Sequence, residues 1–129
     1  MLADFTPTPT IAVTDLTRAQ GFYEGLLGFS PQAAPDGVLY SAGSGSILVY
    51  PSSFAGTNKA TYVSFQVPPE AFDDLVGSLR DSGVEFQTFE VPVGSWSDGV
   101  LDMGAGARAV WFADPDGNIL NIDTMPPAS

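Results

Sequence analysis

Tyr62-Val63-Ser64-Phe65-Gln66-Val67, followed shortly by Pro69-Glu70-Ala71-Phe72-Asp73-Asp74-Leu75-Val76-Gly77-Ser78-Leu79, changes its apolar period within one stretch. In the first part Val63, Phe65 and Val67 are apolar, while Tyr62, Ser64 and Gln66 take the opposite face, as strand side chains alternate. In the second part Phe72, Leu75, Val76 and Leu79 fall at i, i+3, i+4 and i+7, one stripe of a helix. Pro69 suits a first turn, Glu70, Asp73 and Asp74 favour the N-terminal end, and Gly83 follows the last turn. The spacing predicts a strand over 61–67 and a helix over 69–82. One strand face packs under the helix. The other, with Tyr62, Ser64 and Gln66, meets something polar.

The same order occurs nearer the N-terminus. Residues 8–13 read as a strand with Ile11 and Val13 on one face and Thr8, Thr10 and Ala12 on the other. Residues 16–27 read as a helix through Leu16, Ala19, Phe22, Leu26 and Leu27, with Asp15 or Thr17 as cap and Gly28 as stop. Strands are expected over 38–41 and 46–50 after the first helix, and over 84–91, 108–113 and 119–123 after the second. Residues 51–59 and 92–99 read as long loops. In the last strand Leu120 and Ile122 oppose Ile119, Asn121 and Asp123. Strand, helix, strands, repeated once, is an internal duplication. A curved sheet with helices outside and a semi-polar concave face accounts for the alternation, and such a concavity suits a small molecule; a plain solvated sheet face accounts for it equally well.

Composition limits the chemistry. The 129 residues suit one domain. There is no histidine and no cysteine, so a Ser-His arrangement, imidazole or thiolate metal ligands and a disulfide framework are all excluded. The net charge of -11, with Arg18, Lys59, Arg80 and Arg108 the only cationic side chains, argues against nucleic acid and anionic membranes as partners. No apolar run approaches the ~20 residues of a membrane helix. The first ten residues show no signal-peptide pattern, which places the expected location in the cytoplasm.

Val13-Thr14-Asp15-Leu16, then Phe22-Tyr23, then Leu27-Gly28-Phe29, resembles the vicinal oxygen chelate superfamily, the glyoxalase, bleomycin-resistance and dioxygenase group. Ala109-Val110-Trp111-Phe112-Ala113-Asp114-Pro115-Asp116-Gly117-Asn118 looks like that family's hairpin before its last strand. The resemblance implies an α+β fold: two βαβββ modules forming an open, cupped, mixed sheet with helices outside. It implies a single domain over 1–129, with module one at about 6–51 and module two at about 60–125, and a homodimer. Most enzymes of the family hold a divalent metal through His and Glu. By position those ligands fall on Thr8, Tyr62 and Asn121, and on the strand Ser46-Ile47-Leu48-Val49-Tyr50, which has no acidic residue. Neutral side chains do not offset the desolvation of a divalent cation. The expectation is therefore a member with no metal or other cofactor.

Asp114-Pro115-Asp116-Gly117-Asn118 fails the calcium-loop spacing, since Met125 stands where the last carboxylate belongs, and reads as a structural hairpin. Gly43-Ser44-Gly45-Ser46 lacks the lysine of a phosphate loop. Lys59, alone in a Gly/Ser loop, reads as solvated rather than as a Schiff-base lysine. Trp96 sits in a polar stretch that no core periodicity claims, and Trp111 reads as core or cleft wall. The expected ligand-binding set is Tyr62, Asn121, Trp96, Trp111, Ser64, Gln66 and Thr8. The expected function is capture of a small molecule, cationic or aromatic, in the manner of bleomycin-resistance or drug-sequestration proteins. A lyase, isomerase or epimerase with a non-standard metal site or none is the alternative, and a regulatory partner domain with a vestigial cleft is the third reading.

Overall fold

The computed structural model describes residues 1–4, 8–35, 37–58 and 60–124. The chain divides into two compact units, one of Met1–Tyr62 with Asp114–Asn118, the other of Val63–Ala113 with the residues from Ile119 onward.

In the first unit β1 (Thr10–Val13) leads into α1 (Leu16–Gln20), a π-helical stretch (Gly21–Leu26), then β2 (Ser30–Ala34), β3 (Gly37–Ala42) and β4 (Gly45–Pro51). The sheet order is β1-β4-β3-β2. β1 runs parallel to β4, and the other neighbours are antiparallel. Register sets Val38 opposite Val49 and Tyr40 opposite Ile47. These four, with Ile11, Val13, Ala19 and Tyr23, are buried and form the core of the unit. The Asp15 carboxylate accepts the Arg18 N–H at the head of α1, so Asp15 rather than Thr17 is the cap. The helix expected over 16–27 is α-helical only to Gln20 and widens beyond it, with the Leu27 N–H donating to the Phe22 carbonyl. Gly21 and Gly25 give this turn little helical preference, so the tertiary contacts of Tyr23 set its pitch.

The second unit takes in β5 (Thr61–Val67, whose first two residues count with the first unit), α2 (Pro69–Asp81), β6 (Ser95–Ser97), β7 (Val100–Asp102), β8 (Arg108–Ala113) and β9 (Ile119–Thr124). Its sheet order is β5-β9-β8-β7-β6. Without β6 this repeats the order of the first sheet, so the duplication is present in topology. On α2, Phe72, Val76 and Leu79 are buried, while Leu75 is 40% exposed, so the apolar stripe is narrower than its spacing implies. The Arg108 guanidinium lies 4.6 Å from the Phe72 ring centre and donates to Asp73 at 2.7 Å. Among the described residues no helix is long and apolar enough to cross a membrane.

Four expectations need correction. Residues 84–91 are not a strand. The Gln87 N–H reaches the Trp111 carbonyl, but the segment is anchored by side chains: Phe86 meets Phe112 edge-on at 6.2 Å, and Phe89 meets Trp111 at 4.9 Å. The loop expected over 92–99 contains β6, which turns through Asp98 and Gly99, both at positive φ, into β7. β2 was not expected, because Ser-Pro-Gln-Ala-Ala lacks strand formers. It survives as an exposed edge strand, where proline is tolerated. β1 begins at Thr10, so Thr8 precedes it.

Candidate functional site

Register alone assembles one face of the second sheet. Trp96 opposes Leu101, Leu101 opposes Ala109, and Ala109 opposes Asp123. Trp111 opposes Asn121 in the adjacent row. Opposed residues project from the same side of a sheet, so these six side chains share a face. The other face carries Val110, Phe112, Leu120 and Ile122, all buried.

Three aromatic rings close one end of this face. Phe89 and Trp111 are 4.9 Å apart, Phe89 and Trp96 5.3 Å, and Trp96 and Trp111 5.9 Å, all edge-on. This is the arrangement aromatic quadrupoles prefer. The Trp96 indole N–H donates to the Phe89 carbonyl at 3.0 Å, which fixes the ring. Both tryptophans are half-buried, and Phe89 is 46% exposed. An open depression of about 830 Å³ flanks the cluster, lined by Phe89, Glu90, Pro92 and Trp96 among others.

The polar members of the face differ in how they are satisfied. Asn121 is buried, and its amide donates to the Val110 carbonyl at 3.1 Å and, more weakly, to the Ile122 carbonyl at 3.5 Å. Asp123 is half-buried. Its Oδ1 is buried and has no hydrogen-bond partner among the described residues. Burial pushes its carboxyl above the ordinary range, because desolvation disfavours the charged form.

Solved structures of similar shape exist. An integron cassette protein from the mobile metagenome of a Halifax Harbour sewage outfall is 21% identical, covers 90% of this chain and 94% of its own, and superposes with a TM-score of 0.65. A glyoxalase family protein from Enterococcus faecalis is 19% identical over 95% of this chain and 99% of its own, with a TM-score of 0.68. The fosfomycin resistance protein FosX from Listeria monocytogenes, complexed with Mn(II) and sulfate, is 15% identical over 93% of this chain and 89% of its own, with a TM-score of 0.69. The chain has the vicinal oxygen chelate fold. No protein-family model and no curated protein matches the sequence.

The divalent metal that this fold commonly carries does not fit the side chains present. The Asn121 amide already donates to backbone carbonyls, β4 offers no carboxylate, and Thr8 and Tyr62 are neutral. Among the described residues no group of three or more Asp or Glu side chains converges as a metal would require.

The remaining expected contacts are dispersed. Thr8 is exposed ahead of β1 in the first unit, where its carbonyl accepts the Thr10 hydroxyl at 3.1 Å. Tyr62 is half-buried in β5, and Ser64 and Gln66, on the same side of that strand, are exposed. Thus Trp96, Trp111 and Asn121 share a face of the second unit, and Thr8 belongs to the first unit. Phe89 and Asp123 were missed. Alternation alone sets Asp123 on the side of Asn121, and that was the available signal for it. Lys59 and Met125 lie outside the described residues.

The segment 114–118 has a different role. Asp114 accepts the Tyr23 hydroxyl at 2.9 Å, the Asn118 side-chain amide at 2.8 Å, and the backbone N–H groups of Asp116 and Asn118 at 2.9 Å. Asp116 accepts from Thr14 and Arg18, and the Asn118 amide donates to the Ala12 carbonyl at 2.7 Å. These acceptors are engaged inside the first unit, which makes the segment a structural clasp. Burial and the nearby Asp114 charge push the Tyr23 hydroxyl pKa well up, keeping it a donor.

Proposed function

We propose that the chain binds a small organic molecule on the Trp96–Trp111 face without a metal, as a drug-sequestration protein of the bleomycin-resistance type does. The observation that carries this is the fixed trio Phe89, Trp96 and Trp111, partly exposed at the edge of a sheet face. Rigid aromatics give large contact area at small entropic cost, and ligand sites are mostly apolar with a few placed polar groups. Asn121, Ser64 and Gln66 are the proposed polar contacts, and the acidic balance with the aromatic trio favours a cationic or aromatic ligand. A homodimer in the cytoplasm is the proposed setting. Titrating the protein with a panel of cationic and neutral aromatics, read by tryptophan fluorescence, tests the proposal. Saturable quenching supports it, and no response from any compound counts against it.

Asp123 favours one second reading. A carboxyl whose pKa is raised by burial holds its proton more readily than a solvated one and is suited to proton transfer, as an isomerase or epimerase needs. Elemental analysis of protein purified without chelator bears on both readings, since stoichiometric Mn, Zn, Ni or Fe contradicts the metal-free account.

A further inference from the structure

Aspartate is followed by glycine at Asp36, Asp98 and Asp116. Asp36 lies outside the described residues. We infer that Asp98–Gly99, the tip of the β6–β7 hairpin, is a site of backbone modification. It converts to isoaspartate, which lengthens the main chain two residues from Trp96 and creates a substrate for a carboxyl methyltransferase that acts on isoaspartyl residues. The inference stands on the hairpin alone and does not need the small-molecule reading.

The conversion consumes no reagent but water. The Gly99 amide nitrogen attacks Cγ of the protonated Asp98 carboxyl. The N–Cγ bond forms, the bond from Cγ to its hydroxyl breaks, and the hydroxyl leaves as water with the amide proton. Water then opens the cyclic imide. Opening at Cγ restores aspartate. Opening at the Asp98 main-chain carbonyl carbon routes the chain through Cγ and leaves a free α-carboxylate, which can accept a methyl group from S-adenosylmethionine. Glycine has no Cβ to obstruct the attack.

Asp98 is free to react. It is exposed, and neither its carboxylate nor the Gly99 N–H has a hydrogen-bond partner among the described residues. Asp98 and Gly99 stand at φ 50° and 79°, as a two-residue turn between the paired Ser97 and Val100 requires. Positive φ is unfavourable for a residue with a side chain, so this peptide carries strain. The attack needs rotation about the Asp98 Cα–C bond, and β6 is a three-residue edge strand whose turn opens at small cost. The Arg80 guanidinium donates to the Asp98 carbonyl oxygen. That bond draws electron density from the peptide, which eases loss of the Gly99 proton and stabilises the oxyanion formed when water attacks this carbon.

Asp116–Gly117 has the same sequence and the opposite surroundings. The Asp116 side chain is 5% exposed. Its carboxylate accepts from the Thr14 hydroxyl, the Thr14 N–H at 3.1 Å and Arg18 at 3.1 Å, and the Gly117 N–H donates to the Asp114 carbonyl at 3.0 Å. Neither the carboxyl nor the attacking nitrogen is available without breaking this clasp. At Asp98 the consequence falls on the aromatic trio. An added main-chain atom breaks the two-residue turn, so the pairing of Trp96 with Leu101 slips and the indole loses the Phe89 carbonyl.

The test holds purified protein at physiological temperature and neutral pH for weeks, folded or in guanidinium. Isoaspartyl peptides are then assigned by mass spectrometry with electron-transfer fragmentation and by labelling with a purified isoaspartyl methyltransferase. Folded protein is expected to gain isoaspartate at Asp98 at least about tenfold faster than at Asp116, because opening the Asp116 turn breaks several charge-assisted bonds. In guanidinium the two rates are expected to converge. Equal rates in the folded protein, or isoaspartate at Asp98 only in guanidinium, overturns the inference. Ageing is also expected to change the tryptophan emission of wild type but not of Asp98→Glu, whose longer side chain does not close this ring. An equal change in both overturns the proposed effect on Trp96.

Discussion

Asp114 accepts two side-chain and two backbone donors from the β1–α1 region and its own turn, and Tyr23 contributes the one hydroxyl among them. Tyr23→Phe removes that bond while keeping the ring, and urea denaturation is expected to show a loss of about 1–2 kcal/mol. Asp114→Ala leaves several buried donors unpaired and is expected to cost about 3 kcal/mol or more. Asp123 behaves oppositely. Its folded-state pKa is raised by burial, so the protonated carboxyl is the better fit to the fold. Its contribution is fully present below the unfolded pKa of about 3.9 and is lost as pH rises through the folded value. Asp123→Asn is therefore expected to be more stable than wild type at neutral pH, with the gap closing as pH falls through that window in paired thermal melts. A constant gap at all pH values would contradict the assignment.

At the scale of elements, β5 and α2 were legible because period and caps agree over their whole lengths, and the structure returns Thr61–Val67 and Pro69–Asp81. What was not legible depended on long-range contact. The π-helical turn follows from where Tyr23 must reach, which no local pattern records. β2 and β6 are short strands of Ser, Pro, Gln, Ala and Trp that persist only because β3 and β7 offer ladders. Residues 84–91 read as a strand, yet are pinned mainly by Phe86 and Phe89, with one backbone bond from the Gln87 N–H to the Trp111 carbonyl instead of a ladder. The candidate site shared this mixture. Trp96 stands out in the sequence because nothing in its surroundings explains an aromatic, whereas Phe89 is absorbed into an expected strand that does not form. Backbone approaches closely at Gly37, where an added Cβ would lie far inside van der Waals contact with the Val49 carbonyl oxygen. Gly37→Ala is expected to destabilise by about 3 kcal/mol, or to prevent folding, because backbone cannot yield as a side chain does. Unchanged stability would show that β3 and β4 are not paired in this register.

At the scale of the whole molecule, the absence of histidine and cysteine is a statement about positions as well as composition. The family resemblance leads the sequence reading to expect ligand positions at Thr8, Tyr62 and Asn121, all neutral, and the amide of Asn121 is engaged by backbone. The identities of 15–21% to the solved structures carry the fold and not the chemistry, so FosX and its Mn(II) do not transfer to this chain. The proposed metal-free site rests on an aromatic wall, on a molecule with a net charge of -11. The most direct measurement is a calorimetric titration of N-methylquinolinium into protein treated with chelator, repeated with Mn(II) or Zn(II) restored. Saturable binding, accompanied by tryptophan quenching and unchanged by either metal, is the predicted result. Binding that appears only when a metal is restored would contradict the central claim, as would no binding under either condition.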